Sequence, residues 1–370
     1  MEMPSFLELL EQQYKSQLPF VAYRKPNQKQ VKALLQQDDS LHLAVDFTES
    51  GFVFAPFDNA DQTVLIPNET SKNIESDFED VVFKHAEDKV FEVDETEKDR
   101  HIRLVEKGIE AIRTNKFEKV VLSRKESVAI KSDSVFKLFA DLLASYPTAF
   151  VYCWYHPKVG LWLGATPETL LSVENKRLST MALAGTQQYT GSLEVAWGVK
   201  EKEEQAFVTT FISDSLEPYV THLKQGNVKT VKAGKLLHLQ TSITALLKSS
   251  LKPVIDALHP TPAVCGLPKL AAKNFIINNE NYQRTFYTGF LGELNLKVDK
   301  SRNRNPRNIE NNVYRALTNA TNLYVNLRCM EVVGSMANVF VGGGITKDSH
   351  AESEWNETVA KAMTMKKVLQ

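Results

Sequence analysis

Glu354, Glu357 and Lys361 stand at i, i+3 and i+7 of a helical stretch, so two carboxylates and an amine project from one face. Just before them runs Phe340-Val341-Gly342-Gly343-Gly344-Ile345-Thr346, an apolar segment that ends in a glycine triplet. Ser349 and Glu352 have the spacing of a capping box at the helix start. Acids, amine and bare backbone together suit a magnesium-bound, carboxylate-bearing small molecule. A solvated amphipathic helix after a glycine turn explains the same residues equally well. A second acid pair, Glu201 and Glu204, lies near the start of another helix, where the dipole alone favours acids. Two such pairs on two helices make the better metal case, because magnesium takes one or two protein carboxylates and fills its shell with water and substrate oxygens. No His/Cys cluster points to zinc.

Lys119 heads a run of β-formers, Val120-Val121-Leu122, and shares a facing with Val121 and Ser123. A lysine there is usually exposed; turned into a closed cavity it could serve as a base. Glu168 closes Gly164-Ala165-Thr166-Pro167-Glu168, directly after a proline that turns the chain. In an apolar pocket its carboxyl would keep a proton and act as an acid; as a polar turn residue it would do neither. Gly185, in Leu183-Ala184-Gly185-Thr186, either lets backbone approach a ligand closely or simply turns the chain. Arg328 lies in the apolar run Leu327-Arg328-Cys329-Met330 and needs an anion, either a substrate carboxylate gripped bidentately or an internal acid.

The elements that must position these residues are legible as a mixed pattern. Helical spacing covers 6–17, 101–115, 134–145 and 201–216, while strand-like runs cover 41–47, 51–54, 119–124, 149–155, 160–165, 169–173, 235–247, 324–330 and 339–341. The strands at 41–47 and 51–54 flank a turn at 48–51, and residues 77–99 are acid- and lysine-rich and expected on the surface. Residues 297–322, dense in Asn and Arg, read as an excursion between two strands. Strands bunch without a βαβ rhythm, which favours α+β, and no Pro/Gly/Ser-rich linker divides the chain, so a single domain over residues 1–370 is expected.

Composition limits the function classes. A net charge of −1 offers no global field for nucleic acid or acidic membrane, and Arg302, Arg304 and Arg307 are the one local basic cluster. No segment has the apolar length of a membrane span, and Met1-Glu2-Met3-Pro4 lacks a signal-peptide layout. Cys153, Cys265 and Cys329 are far apart in apolar stretches and read as buried thiols in a reducing cytoplasm. No extended apolar surface helix is left over, so a monomer is expected.

Taken together and in order, the motifs resemble the chorismate-utilising enzymes, which include isochorismate, salicylate, anthranilate and aminodeoxychorismate synthases. The matching stretches are 119–124, 164–168, 183–186, 200–205, Leu237-His238-Leu239, His259-Pro260-Thr261-Pro262-Ala263 with Cys265-Gly266, 284–292, Leu327-Arg328-Cys329 and 342–361. They span residues 100–370; the first 95 residues match no motif and correspond to a divergent N-terminal part of the same fold. The resemblance implies one large α+β domain, with two face-packed sheets and helices outside. It implies Mg²⁺ held directly by Glu204 and Glu357, with Glu201 and Glu354 acting through water. Arg328, Lys361 and the backbone at Gly343 and Gly344 would grip substrate carboxylates. Gly185, Thr186, His238 and Ala263 would lie beside the substrate ring, and Tyr287, Leu327 and Phe340 would wall the cavity.

Within the family, ammonia-using members have Gln where this chain has Lys119, and aminodeoxychorismate formers have a lysine where it has Ala184. Salicylate formers tend to have Thr where it has Ala263. The resemblance therefore implies reversible conversion of chorismate to isochorismate, feeding menaquinone or siderophore formation. Lys119 would activate water for attack at C2 and Glu168 would protonate the departing C4 hydroxyl. Salicylate formation and an inactive chorismate-binding scaffold are the alternatives. Departures from the family pattern are Gln205 in place of a common His, Met181-Ala182 before the 183–186 motif, and the long polar stretch at 297–322.

Overall fold

Phe150 to His156 is buried at every position, which a strand achieves only when both of its faces are covered. The computed structural model of the protein describes residues 1–78, 94–132, 134–233, 236–300 and 316–369. In chain order its elements begin with α1 (Met3–Lys15), β1 (Phe20–Arg24), β2 (Gln30–Gln36), β3 (His42–Ala44), β4 (Gly51–Ala55), β5 (Thr63–Pro67) and β6 (Ser71–Asp77). Next come α2 (Glu95–Arg113), β7 (Lys119–Ala129), α3 (Val135–Ser145), β8 (Phe150–His156), β9 (Gly160–Thr166), β10 (Thr169–Glu174) and β11 (Arg177–Gln188). They continue with α4 (Val199–Leu216), β12 (Val220–Gln225), β13 (Lys229–Ala233), β14 (Leu236–Leu247), α5 (Lys252–Leu258), β15 (Gly266–Leu267) and α6 (Lys269–Asn279). The last are β16 (Phe290–Lys300), β17 (Ala316–Val325), β18 (Cys329–Val333), β19 (Met336–Ile345) and α7 (Ala351–Lys366).

The strands form two antiparallel sheets. One has the order β15-β7-β19-β18-β9-β8-β1-β2-β6; the other runs β12-β14-β11-β10-β17-β16-β4-β5-β3, with β13 added on β14. The first 77 residues supply strands to both, so the segment without motifs completes the same sandwich. The period of two along each strand sorts side chains between layers. Tyr152 and Trp154 point into an aromatic layer between the sheets, where Phe150 stacks on Tyr324 at 4.1 Å and Phe54 meets Trp154 at 4.9 Å. Val151 and Cys153 point outward, under α1, α3 and α7. Val208 and Ile212 of α4, with Val254 and Ile255 of α5, cover the outer face of the second sheet, and α2 and α6 cover the β7 edge of the first. The expected α+β architecture, with two face-packed sheets and helices outside, is present.

Several local expectations are corrected. The strands near the 48–51 turn do not pair with each other, because β5 lies between β3 and β4. The glycine triplet is not a turn; it continues β19, with Gly342 opposite Ser123 and Gly344 opposite Val121 on β7. The run at 324–330 is not one strand: β17 ends at Val325, β18 begins at Cys329, and Arg328 between them has φ 47°. Of the polar stretch at 297–322, β16 and β17 claim both ends, pairing as far as Lys300 opposite Ala316. Arg302, Arg304 and Arg307 lie outside the described residues, as does most of 77–99; the rest of that segment starts α2, capped by Asp94, which accepts from the backbone of Thr96 and Glu97. No capping box forms at α7: its N-cap is His350 and makes no side-chain cap bond.

One glycine ties this framework to the site. Gly266 has φ +137°, and a β-carbon there would lie 2.2 Å from the carbonyl oxygen of Lys119. Gly266→Ala therefore has to push β15 off the start of β7, and it should destabilise the protein by about 1–3 kcal/mol. Urea denaturation checks this; an unchanged midpoint would show that the edge pairing is dispensable.

Candidate active site

The two strands that bring functional groups together are β7 and β19. Val120 lies opposite Ile345, so Lys119 and the glycine triplet share one end of the first sheet. Missing β-carbons let two helices lay their acids on that strand. A β-carbon on Gly344 would be 3.1 Å from Lys119 Cε and 3.4 Å from Glu204 Oε1, and one on Gly343 would be 3.1 Å from Glu354 Oε2.

Two lysine–glutamate pairs organise the charge. Lys119 Nζ donates to Glu204 Oε1 at 2.5 Å. Lys361 Nζ pairs with Glu357 Oε1 at 2.6 Å and donates to the Gly342 carbonyl at 3.0 Å. Burial works against charge on Glu204, yet the Lys119 ammonium outweighs it and holds that carboxyl below its usual range. Glu354 goes the other way: burial raises it, opposed by a hydrogen bond from Ser349 Oγ at 2.6 Å and reinforced by Glu357. Ser349 thus serves Glu354 rather than capping the helix, and Glu352 pairs instead with Lys98 at 3.4 Å. Glu201 packs against Gly185, where a β-carbon would be 3.1 Å from Glu201 Cβ and φ is +70°. Gln205 Nε2, in place of the expected His, donates to the Ala182 carbonyl and Thr241 Oγ1, each at 3.0 Å, and locks α4 onto the second sheet below Glu204.

Glu168 and Arg328 differ from these pairs because neither forms a salt bridge among the described residues. Each sits where the chain crosses between sheets, Glu168 between β9 and β10 and Arg328 between β17 and β18. Burial pushes the Glu168 carboxyl up to about 7, against the pull of Lys119, Arg328 and Lys361. Burial also works against charge on Arg328, whose guanidinium makes no hydrogen bond or ion pair among the described residues. Burial lowers His238 to about 4, so it is neutral near pH 7. Its Nδ1 lies 3.0 Å from the Gly185 carbonyl, which can only accept, so Nδ1 carries the proton. The acceptor Nε2 is buried without a partner. Thr186 reaches the same ring at 3.4 Å.

Tyr287 and Phe340 are deeply buried and stack at 5.4 Å; the Tyr287 hydroxyl lies 3.0 Å from where a Gly342 β-carbon would be. Leu327 is partly buried and bridges two core layers. Ala263 lines a small cavity beside Glu168. A much larger cavity, about 260 Å³, opens between β3, β5 and α5, and none of the site residues named from the sequence lines it. Motif reading overlooked the buried pair Arg284–Glu280, at 2.6 Å. Arg284 also donates to the carbonyls of Val121 and Val264, while Glu280 accepts from the Ser123 backbone, so the pair holds β7 in place. Its i, i+4 spacing was the available signal.

The donor set suits a hard divalent cation in chemistry, since it is all carboxylate. Among the described residues no three acids, histidines or cysteines converge as a closed metal cage. Glu204 and Glu357 each face a lysine, so a cation here would add to two carboxylates and complete its shell with water and ligand oxygens.

Glu168 yields a stability test. Its carboxyl is raised in the fold, so its contribution is fully present below pH 4.5, its ordinary value, and is lost as pH rises through about 7. Glu168→Gln should therefore gain stability relative to wild type across that window, by on the order of 3 kcal/mol at most. Parallel urea melts on the two sides of the window measure it; a constant difference would mean that Glu168 is not held protonated.

A family model described as chorismate binding enzyme matches residues 48–300, and a second model of the same description matches 313–367. Isochorismate synthase MenF of Pasteurella multocida is 28% identical over 291 residues, covering 72% of this chain but 61% of the relative's own length. The solved structure of MenF, the menaquinone-specific isochorismate synthase from Escherichia coli, superposes with a TM-score of 0.75 at 20% identity, covering 95% of this chain and 89% of that one. Anthranilate synthase component I from Streptococcus pneumoniae reaches 0.63 at 17% identity, covering 94% and 92%, so the fold is common to an isochorismate synthase and an anthranilate synthase component and does not choose between them. With one family model spanning well over half of its 370 residues, the chain belongs to the chorismate-binding enzymes.

Proposed function

We propose that this chain is an isochorismate synthase that interconverts chorismate and isochorismate with magnesium, by water attack at C2 and loss of the C4 hydroxyl. The observation that carries the reading is the contrast between two groups at one cleft. Glu168 is a carboxylic acid raised to about 7 by burial, and Lys119 is an amine at the start of β7, where the ammonia-using members have Gln. A proton donor and a proton acceptor with separated environments are what the exchange of two hydroxyls requires.

Arg328 is free to take a substrate carboxylate bidentately, and Lys361 stands by the glycine backbone for another. His238 offers Nε2 as an acceptor toward substrate hydroxyls. Magnesium, held by Glu204 and Glu357 with Glu201 and Glu354 behind them, would supply charge neutralisation at the ring carboxylate. Lys119 as found is bonded to Glu204, and an ammonium has no lone pair to accept a proton. Base action therefore requires Lys119 both to release Glu204 and to give up one proton before it takes another from water. Burial of Glu168 keeps its proton available for the departing hydroxyl. The absence of threonine at Ala263 supports release of isochorismate without pyruvate loss.

Purified protein mixed with chorismate and Mg²⁺ should yield isochorismate and no stoichiometric pyruvate on chromatography. Salicylate with equal pyruvate would overturn the product assignment. Lys119→Ala and Glu168→Gln should each lower kcat by about 10²–10⁴-fold. Near-wild-type turnover of either would remove that residue from its role. Chelation with EDTA should abolish turnover, and added Mg²⁺ should restore it; activity that survives chelation would contradict the metal assignment.

A further inference from the structure

Beside Glu168 lies a cavity of about 10 Å³, lined by Glu168, Thr180, Val208, Ile212, Thr261 and Ala263 among others. That is room for about one water molecule. α4 and α5 present only Val208, Ile212 and Leu258 to it. The Thr180 hydroxyl is already committed, donating to the Leu170 carbonyl at 2.5 Å. The Thr261 hydroxyl is not: its Oγ1 is buried with no partner. Its backbone is fixed, since the Thr261 carbonyl accepts from Val264 N at 3.1 Å and Cys265 N at 2.9 Å. The Glu168 carboxyl also has no hydrogen-bond partner among the described residues, although its backbone is bonded on both sides, N–H to Thr166 Oγ1 and carbonyl from Val325 N. A buried hydroxyl without a partner and a carboxyl with no hydrogen-bond partner among the described residues thus border a space of one-water size. A buried polar group left unpartnered is destabilising, and a bridging water is the usual remedy.

We infer that one ordered water fills this cavity, accepting from Thr261 Oγ1 and donating to the Glu168 carboxyl, so that Thr261 is a positioning residue for the acid. This rests on the acid role proposed for Glu168. A water that donates to one carboxyl oxygen leaves the other to carry the proton toward the cleft. The same bond strengthens once the carboxylate forms, so it eases proton release. The charged groups that act on Glu168 are Lys119 from β7, Arg328 from the crossover and Lys361 from α7; Thr261 and its water add the neutral contact on the remaining side.

The test compares Thr261→Val, which keeps shape and removes the hydroxyl, with Thr261→Ser, which keeps it. Infrared difference spectra of the substrate-free protein identify the Glu168 carboxylic C=O band as the one missing in Glu168→Gln. In Thr261→Val that band should move to higher frequency and its titration midpoint should rise by about one pH unit. kcat should fall by about tenfold with KM little changed, and Thr261→Ser should restore both. An unchanged band and midpoint in Thr261→Val, or a Ser variant as impaired as Val, would overturn the inference. The spectra need no substrate, so the two readings separate. A responsive band in a protein that makes no isochorismate would sustain the water and sink the reaction. An unresponsive band in an active isochorismate former would sink the water alone.

Discussion

Two neighbouring segments, 166–169 and 325–329, carry the chain from one sheet to the other, and bonds between them fasten the sandwich where the site opens. Thr166 Oγ1 donates to the Val325 carbonyl at 2.6 Å, Val325 N donates to the Glu168 carbonyl at 3.0 Å, and Ala165 N donates to the Arg328 carbonyl at 3.0 Å. Tyr152 adds a bond to Asn326 Oδ1 at 2.6 Å from the aromatic layer. Backbone that leaves a sheet inside a protein must still satisfy its polar groups, and here each crossing satisfies the other. Thr166 and Asn326 carry the side-chain share of these bonds, and the side chains of Glu168 and Arg328 take no part in them. The backbones of Glu168 and Arg328 are fixed by these bonds, and their side chains form no salt bridge among the described residues.

The rest of the site solves an electrostatic problem set by that position. Acids from α4 and α7 approach a strand of the first sheet, where burial disfavours charge. Lys119 and Lys361 compensate Glu204 and Glu357 directly, and Ser349 compensates Glu354 with a hydrogen bond. Close approach is possible because Gly343 and Gly344 have no β-carbons to interpose. The compensated groups are those that a divalent cation would address. The uncompensated ones, Glu168, Arg328 and His238 Nε2, are those that an anionic, hydroxylated ring would address.

Local periodicity made α1, α2 and α3 readable, and α4 was read from its charged start and apolar second half, whereas α5 and α6 carried no such signal and were missed. It found β8 and β9 by their apolar runs but missed β1 and β2, whose short mixed sequences become strands through pairing with β8 and β6. Gly342 to Gly344 read as a turn because glycine breaks patterns. They are strand because Gly342 faces Leu122 O, where a β-carbon would lie at 2.8 Å, and only glycine lets β19 run flat against β7. Arg328 read as strand because its neighbours are apolar, whereas the crossing places it at φ 47°. The motif pattern groups the acids, lysines and Arg328 into one site, but the Lys119–Glu204 contact joins residues 85 positions apart. No local pattern encodes such a pairing, and none encodes the orphaned hydroxyl of Thr261.

The central claim is that water enters at C2 as the C4 hydroxyl departs, between Lys119 and Glu168. Turnover of chorismate in H₂¹⁸O, followed by mass analysis of isolated isochorismate, tests it most directly. The mechanism predicts isochorismate with a solvent-derived ¹⁸O in its new hydroxyl. Isochorismate carrying only ¹⁶O would mean that the hydroxyl migrates within the substrate, and it would contradict the separate acid and base placed here.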